Sequence, residues 1–120
     1  MTNTELKQLR TLLFLDVTEA AQHIGDCEPR TWQRWEKGDR AVPVDVAQTM
    51  QMLALTRVDM LQVEYDAADP MYQYFSEYED FKAATGATGA SVLKWRLAQS
   101  VSAQLVSEQQ AEIWRAEETI

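Results

Sequence analysis

The stretch Thr31–Gly38 reads T-W-Q-R-W-E-K-G, with two tryptophans three residues apart. In a helix, Trp32 and Trp35 lie on one face, whereas Gln33 and Arg34 point away from it. Because an indole ring buries a large apolar surface, we expect the tryptophan face to pack inward. The opposite, polar face is left for a partner outside the domain, and the rest of the chain must indicate which partner.

The helix that contains this stretch has a clear beginning and a clear end. Pro29 suits the first position of a helix, and Gly38 suits the position just past the last turn. Upstream, Asp16 and Glu19 have the spacing of a capping box, so a short helix is predicted over about residues 17–24. Two short helices joined by a tight turn are the plan of a helix-turn-helix.

Apolar spacing extends the helical prediction over the rest of the first half. Leucines at helical spacing predict a first helix over about residues 4–14, and Pro43 opens a longer helix that runs to about residue 66. The inner face of this longer helix is predicted to carry Val46, Met50, Leu53, Ala54, Val58 and Leu61. We therefore expect a mainly α fold, with residues 1–66 as a four-helix DNA-binding domain.

Residues 67–120 are predicted to form a smaller C-terminal dimerisation region. It begins with a linker over residues 67–71, and M-Y-Q-Y-F at 71–75 is either one short strand or an extended segment. A short helix then ends near Gly86, and a final helix covers about residues 90–110. The final helix has an apolar stripe made of Leu93, Leu97, Val101 and Leu105. Because this region has few apolar residues to cover the stripe, we expect the stripe to pair with a second subunit.

The net charge of −8 argues against a general affinity for nucleic acid. The charge is uneven, however, since residues 1–43 hold six basic and seven acidic side chains, and residues 44–120 hold five and twelve. Residues 28–40 alone hold four basic and three acidic side chains. Charges more than about 8 Å apart are largely screened at physiological salt, so a local basic patch can still bind phosphate.

Composition and motifs exclude several classes of protein. A hydrophobic content of 46% and a charged content of 25% are typical of a globular domain, and no apolar run predicts a membrane span. The first residues do not have the pattern of a secretory signal, and the single cysteine, Cys27, fits a cytoplasmic location. The sequence has no catalytic or metal-ligand spacing and no glycine-rich phosphate loop, so we expect no enzyme, cofactor, metal or small-molecule ligand.

From Val17 to Pro43 the sequence resembles the Cro/C1-type helix-turn-helix repressors. The matching features are A-x-x-I-G at Ala21–Gly25, R-W-E-x-G at Arg34–Gly38, and the following Pro43. Across nearly the whole chain, segments such as L-D-V-T-E-A-A-Q-H-I-G at 15–25 and W-R-L-A-Q-S-V-S-A at 95–103 resemble the YdiL-like group. That group includes the anti-CRISPR-associated repressors. The resemblance implies a homodimer that binds an inverted repeat in double-stranded DNA near promoters.

The resemblance also implies roles for individual side chains. Arg30, Gln33 and Arg34 match the groove-facing positions of the recognition helix, and arginine can pair with guanine and glutamine with adenine. The residues implied to contact phosphates are Thr31, Lys37 and Arg40. The turn from Gly25 to Glu28 is one residue longer than the family norm, which bears on how the two helices cross.

Two alternatives stay open. The outward side chains of the recognition helix can also be read as an ordinary solvated face. The rival function is an antitoxin-like interaction module whose acidic C-terminal half binds a partner protein. A repressor dimer is expected to bind a palindrome by itself, whereas an antitoxin is expected to have a partially disordered C-terminal half. The regular stripe of the last helix favours the repressor.

Overall fold

The computed structural model describes residues 1–86 and 89–118, and within them it contains six α-helices and no β-strand. The helices are α1 (Asn3–Leu12), α2 (Val17–Ala20), α3 (Pro29–Lys37), α4 (Val44–Gln62), α5 (Tyr78–Thr85) and α6 (Val92–Glu118). The prediction of a mainly α fold is therefore confirmed. Across the described ranges, no helix combines the length and the apolar character that a membrane span requires.

The first two helices begin at capping boxes. The Thr2 hydroxyl accepts from the N–H of Glu5, and the Glu5 carboxylate accepts from the N–H of Thr2. Asp16 and Glu19 form the same reciprocal pair at the start of α2, as their spacing predicted. Each box satisfies backbone donors that have no partner within the helix, which fixes the residue at which the helix starts.

The helix α2 continues directly into a π-helical turn, Ala21–Gly25. The N–H of Asp26 donates to the carbonyl of Ala21, five residues earlier, and Asp26 then adopts the left-handed conformation with φ 48°. A π turn holds one more residue between hydrogen-bonded groups than an α turn. The π turn therefore precedes the segment from Gly25 to Glu28 that joins this helix to α3.

The main hydrophobic core joins α1–α4 to the middle of α6. Trp32 is fully buried and Trp35 is 7% exposed, so the inward orientation predicted for both is confirmed. Their rings meet edge to face, with centroids 5.5 Å apart. A Cβ on Gly25 would lie 3.1 Å from a ring atom of each tryptophan, so glycine at this position allows the turn to pack on both rings.

The apolar stripe of α6 is covered by its own chain. Leu97 is 3% exposed and Val101 is fully buried in the main core, while Leu93 and Leu105 are half-buried against it. The premise that the stripe lacks a cover within one chain was therefore wrong. Helical spacing identified the apolar face of α6 correctly, but the spacing carried no information on which surface that face contacts.

The inner face of α4 differs from the prediction at Val58, which is 46% exposed. Arg57 lies inward instead and is 9% exposed. Its Nε donates to the Ser100 hydroxyl at 3.2 Å, and its Nη2 lies 3.4 Å from Oε1 of Gln104. Polar groups on α6 therefore satisfy the buried guanidinium, an arrangement that apolar spacing cannot reveal.

A smaller core around Phe81, Trp95 and Ala98 organises the segment before α6. For residues 71–75 the sequence left a short strand or an extended segment open, and the structure does not confirm the strand. Pro70–Tyr72 forms a 3-10 turn, and the backbone at Gln73 is extended. The carbonyl of Phe75 accepts from Nε1 of Trp95 at 2.7 Å and from Nε2 of Gln99 at 2.8 Å, which holds this segment on α6.

Replacing either Trp32 or Trp35 with alanine is expected to lower the free energy of unfolding by about 3–5 kcal/mol, because each ring fills the main core. Tyr74 is 57% exposed, so Tyr74→Ala is the matched control and is expected to change stability by less than about 0.5 kcal/mol. Denaturant unfolding measures the free energy of unfolding of the tryptophan variants and of the control. A Trp32→Ala variant as stable as the control would contradict the packing described above.

Candidate nucleic-acid interface

The outer face of α3 carries a cluster of basic and polar side chains. These side chains line a depression of about 350 Å³, and its lining residues are Arg30, Gln33, Arg34, Lys37 and Asp39. Within residues 1–86 and 89–118, none of its three cations forms an ion pair. The structure thus brings together the three predicted base-reading side chains and one predicted phosphate contact.

The other two predicted phosphate contacts lie outside this depression. Arg40 is exposed beyond the end of α3, and Thr31 is half-buried in its first turn. The N–H of Thr31 donates to the carbonyl of Glu28 at 3.0 Å, so its hydroxyl is the group left for a ligand. These two residues flank the cluster and do not belong to it.

The two ends of α3 are fixed by local backbone chemistry. Pro29 occupies the first turn, after the extended backbone of Glu28. At the other end Gly38 is left-handed, with φ 89°, and its N–H donates back to the carbonyl of Trp35. Nδ2 of Asn3 also donates to the carbonyl of Trp35 at 2.9 Å. A Cβ atom on Gly38 would lie only 2.9 Å from the same Nδ2 atom, so glycine leaves room for the Asn3 side chain. The start of α1 therefore holds the end of α3 in place.

A largely buried carboxylate holds α3 against α1. Glu36 accepts hydrogen bonds from Nε and Nη2 of Arg10, at 2.6 and 3.1 Å, and from Nε1 of Trp32 at 2.5 Å. Nη1 of Arg10 donates to the carbonyl of Leu15 at 3.0 Å. One network therefore connects α1, the segment before α2 and the inner face of α3.

The roles of Arg10 and Glu36 were not predicted from the sequence. Glu36 belongs to the R-W-E-x-G motif, and its position four residues after Trp32 places the two side chains on one face of the helix. That spacing was the available signal. The pairing of Glu36 with Arg10, 26 residues away, requires the packing of α1 on α3.

The electrostatics of Glu36 favour the charged form. Burial raises the pKa of this carboxyl, but the hydrogen bonds from Arg10 and Trp32, together with the charge of Arg10, outweigh burial. The resulting pKa lies below the ordinary value for glutamate. The carboxylate therefore stays ionised and keeps all of its donors at neutral pH.

A second ion pair connects α2 with α6. Nε of Arg96 lies 2.9 and 3.0 Å from the two carboxylate oxygens of Glu19, the residue that caps α2. The Arg96 guanidinium also stacks over the Trp95 ring, 4.0 Å from its centroid. The C-terminal half thus contacts the helix that immediately precedes α3.

Comparison with known proteins agrees with the resemblance noted in the sequence. Residues 1–113 match the model of a protein family described as Aca2/YdiL-like. One relative, the Aca2 repressor of Pectobacterium phage ZF40, is 41% identical over 117 residues. The aligned region covers 94% of this chain and 99% of that relative. The similarity therefore includes both the outer face of α3 and the C-terminal half.

The stability that the Glu36 network supplies is expected to depend on pH. The pKa of Glu36 in the folded chain lies below its ordinary value of 4.5. Its contribution is therefore complete above that value and is lost as the pH falls through the folded-state pKa. We expect Glu36→Gln to cost about 1.5–3 kcal/mol at pH 7, as for hydrogen bonds to charged groups.

Denaturant unfolding at pH 7 and at pH 3 measures this dependence. The stability difference between the wild type and Glu36→Gln is expected to shrink at the lower pH, because below the ordinary pKa of glutamate the unfolded chain binds a proton at Glu36 more readily than the folded chain does. A difference of equal size at both pH values would contradict the assignment.

Proposed function

The chain belongs to the Aca2/YdiL-like family, and on this premise we propose that it is a sequence-specific DNA-binding repressor that recognises an inverted repeat as a homodimer. In this proposal α2 and α3 form the helix-turn-helix, and α3 enters the major groove. The observation that carries the proposal is the outer face of α3, where three cations without ion-pair partners in the described chain surround Gln33. The relative's name, a repressor, agrees with this assignment and points away from an enzyme.

Sequence recognition is assigned to three side chains on this face. An arginine donates two hydrogen bonds to O6 and N7 of guanine, and a glutamine pairs with N6 and N7 of adenine. Arg30, Gln33 and Arg34 therefore supply the donors and acceptors that base edges require. Burial of the two tryptophans on the opposite face keeps these three side chains turned outward.

Lys37, Arg40 and the Thr31 hydroxyl are assigned to phosphates on either side of the groove. Lys37 lines the depression from the last position of α3, and Arg40 follows on the exposed segment after this helix. Contacts of this kind orient the helix on the duplex and carry no sequence information of their own.

The distal part of α6 is the surface that we assign to the dimer. The 27 residues of α6 span about 40 Å, and the part beyond Leu105 carries the exposed apolar side chains Val106, Ile113 and Trp114. Val106 and Ile113 are two turns apart and lie on the same side of the helix. We propose that a second copy of the chain binds this surface. The two half-sites of an inverted repeat are related by a two-fold axis, and a symmetric dimer matches that symmetry. This surface replaces the buried stripe as the proposed contact.

The antitoxin alternative expects a C-terminal half that is partially disordered on its own. Instead, Phe81 and Trp95 pack in the smaller core, and Leu97 and Val101 complete the main core. Packing of this kind supports the repressor over the antitoxin.

The base contacts are tested with Gln33→Ala and Arg34→Ala. Each is expected to cost about 1–3 kcal/mol on the operator and to relax the preference at one base position per half-site. Gln62→Ala, at the far end of α4, is the matched control and is expected to bind like the wild type. The measurement is the affinity of each variant for the operator and for operators with single base changes, at one salt concentration. Unchanged binding by a protein with both substitutions would refute the assignment.

The dimer is tested by light scattering at micromolar concentration. The wild type is expected to have twice the mass of the 13.7 kDa chain and to bind half-sites whose centres lie about 34 Å apart, or a multiple of that distance. Trp114→Ser is expected to shift the mass toward the monomer without loss of helix content, whereas Tyr74→Ser is not. A wild-type monomer that binds one half-site would rule out the dimer.

A further inference from the structure

A second cleft lies beside the base-reading face, between α1, the start of α2 and α3. Its volume is about 260 Å³, and its lining residues are Lys7, Arg10, Val17, Gln33, Glu36 and Lys37. We propose that this cleft holds a backbone phosphate of the bound duplex and that Lys7 is the principal ligand of that phosphate. The inference rests on the proposed function and extends the DNA contact surface to α1.

The charges of this cleft favour an anion. It contains three cations and one carboxylate, but Glu36 is already paired with Arg10. Lys7 and Lys37 are both exposed, and in the part of the chain that the structure describes neither forms an ion pair. Two positive charges are therefore available to a ligand.

The position of Lys7 follows from the anchored Arg10. The two residues are three positions apart on α1, so their side chains share one face of that helix. Arg10 points to α3, where it binds Glu36, and Lys7 consequently lies on the side of α1 that faces α3. Packing of α1 on α3 thus sets the location of the ammonium group.

The cleft is continuous with the surface assigned to base recognition. Gln33 and Lys37 line both depressions. When Gln33 reaches a base edge, the sugar–phosphate wall of the same groove passes along the flank of α3. Lys7 lies on that flank, beside Gln33 and Lys37.

The chemistry of the cleft fits a phosphodiester better than a base. A lysine ammonium is a compact point charge with three rotatable donors, and it binds a phosphate oxygen without a fixed planar geometry. Val17 contributes an apolar wall without donor or acceptor side-chain groups. The cleft therefore contributes affinity and position, and we expect it to add no base preference.

Lys7→Gln tests this inference in the full-length protein. Each subunit of the proposed dimer loses one phosphate contact, so the slope of log K against log salt is expected to become shallower by about 1.8, on the operator and on an unrelated duplex alike. Between 50 and 200 mM salt the wild type then loses about 12-fold more affinity than the variant. Lys7→Arg is expected to keep the wild-type slope. The matched control is Lys82→Gln on α5, and we expect this variant to keep the wild-type affinity and the wild-type salt slope.

Operators with a single neutral methylphosphonate locate the contacted phosphate. The wild type and Lys82→Gln are expected to lose affinity when that phosphate is neutralised, whereas Lys7→Gln is expected to be indifferent to the same change. A thermal melt of each variant, expected to match the wild type, shows that the fold is retained.

Two results would overturn the inference, and they are distinguishable. If Lys7→Gln keeps the wild-type salt slope and the wild-type response to every methylphosphonate, the cleft holds no phosphate, while the proposed function stands. If the wild type itself binds neither the operator nor the unrelated duplex, the proposed function fails together with the inference.

Discussion

The hydrogen bonds received by the Glu36 carboxylate are the contact on which the orientation of α3 depends. Its donors come from Arg10 on α1 and from Trp32, one turn earlier on α3 itself. If α3 turned about its axis, Glu36 would lose the Arg10 guanidinium, and separating a largely buried ion pair is strongly unfavourable. The network therefore keeps the tryptophans inward, and by the same constraint it keeps Gln33 and Arg34 on the outer face. It also orients α1, so that Lys7 lies beside that face.

The C-terminal half also helps to position the N-terminal helices, because it packs directly against them. Its helix α6 supplies Leu97 and Val101 to the main core, and Arg96 binds the Glu19 carboxylate that caps α2. The buried Arg57 of α4 is satisfied by acceptors on α6, among them Ser100. A dimer formed through the distal end of α6 would therefore set the separation of the two α3 helices through contacts within each chain. That coupling gives a physical reason for a repressor to favour one spacing of half-sites.

The sequence was sufficient to predict what local chemistry decides. Capping at Asp16, the boundaries of α3 at Pro29 and Gly38, and the inward tryptophans follow from neighbouring residues and were confirmed. Features that depend on residues far apart in the sequence were not predicted or were predicted wrongly. The pairing of Glu36 with Arg10, the inward position of Arg57 and the cover over the α6 stripe all depend on helices that meet only after folding. The assignment of base contacts to the outer face of α3 stays a prediction, since burial shows which side chains are free and not what they bind.

The acidic character of the chain is compatible with DNA binding because its charge is unevenly distributed along the sequence. Most of the net charge of −8 lies after residue 43, whereas the outer face of α3 and the adjoining cleft are lined by Arg30, Arg34, Lys37 and Lys7. The most direct measurement is selection of bound sequences from a random duplex library by the purified wild type. We expect enrichment of one inverted repeat whose half-site centres are separated by one helical turn, about 34 Å, or a multiple of it. Recovery of duplexes without a shared motif would contradict the central claim that α3 reads sequence.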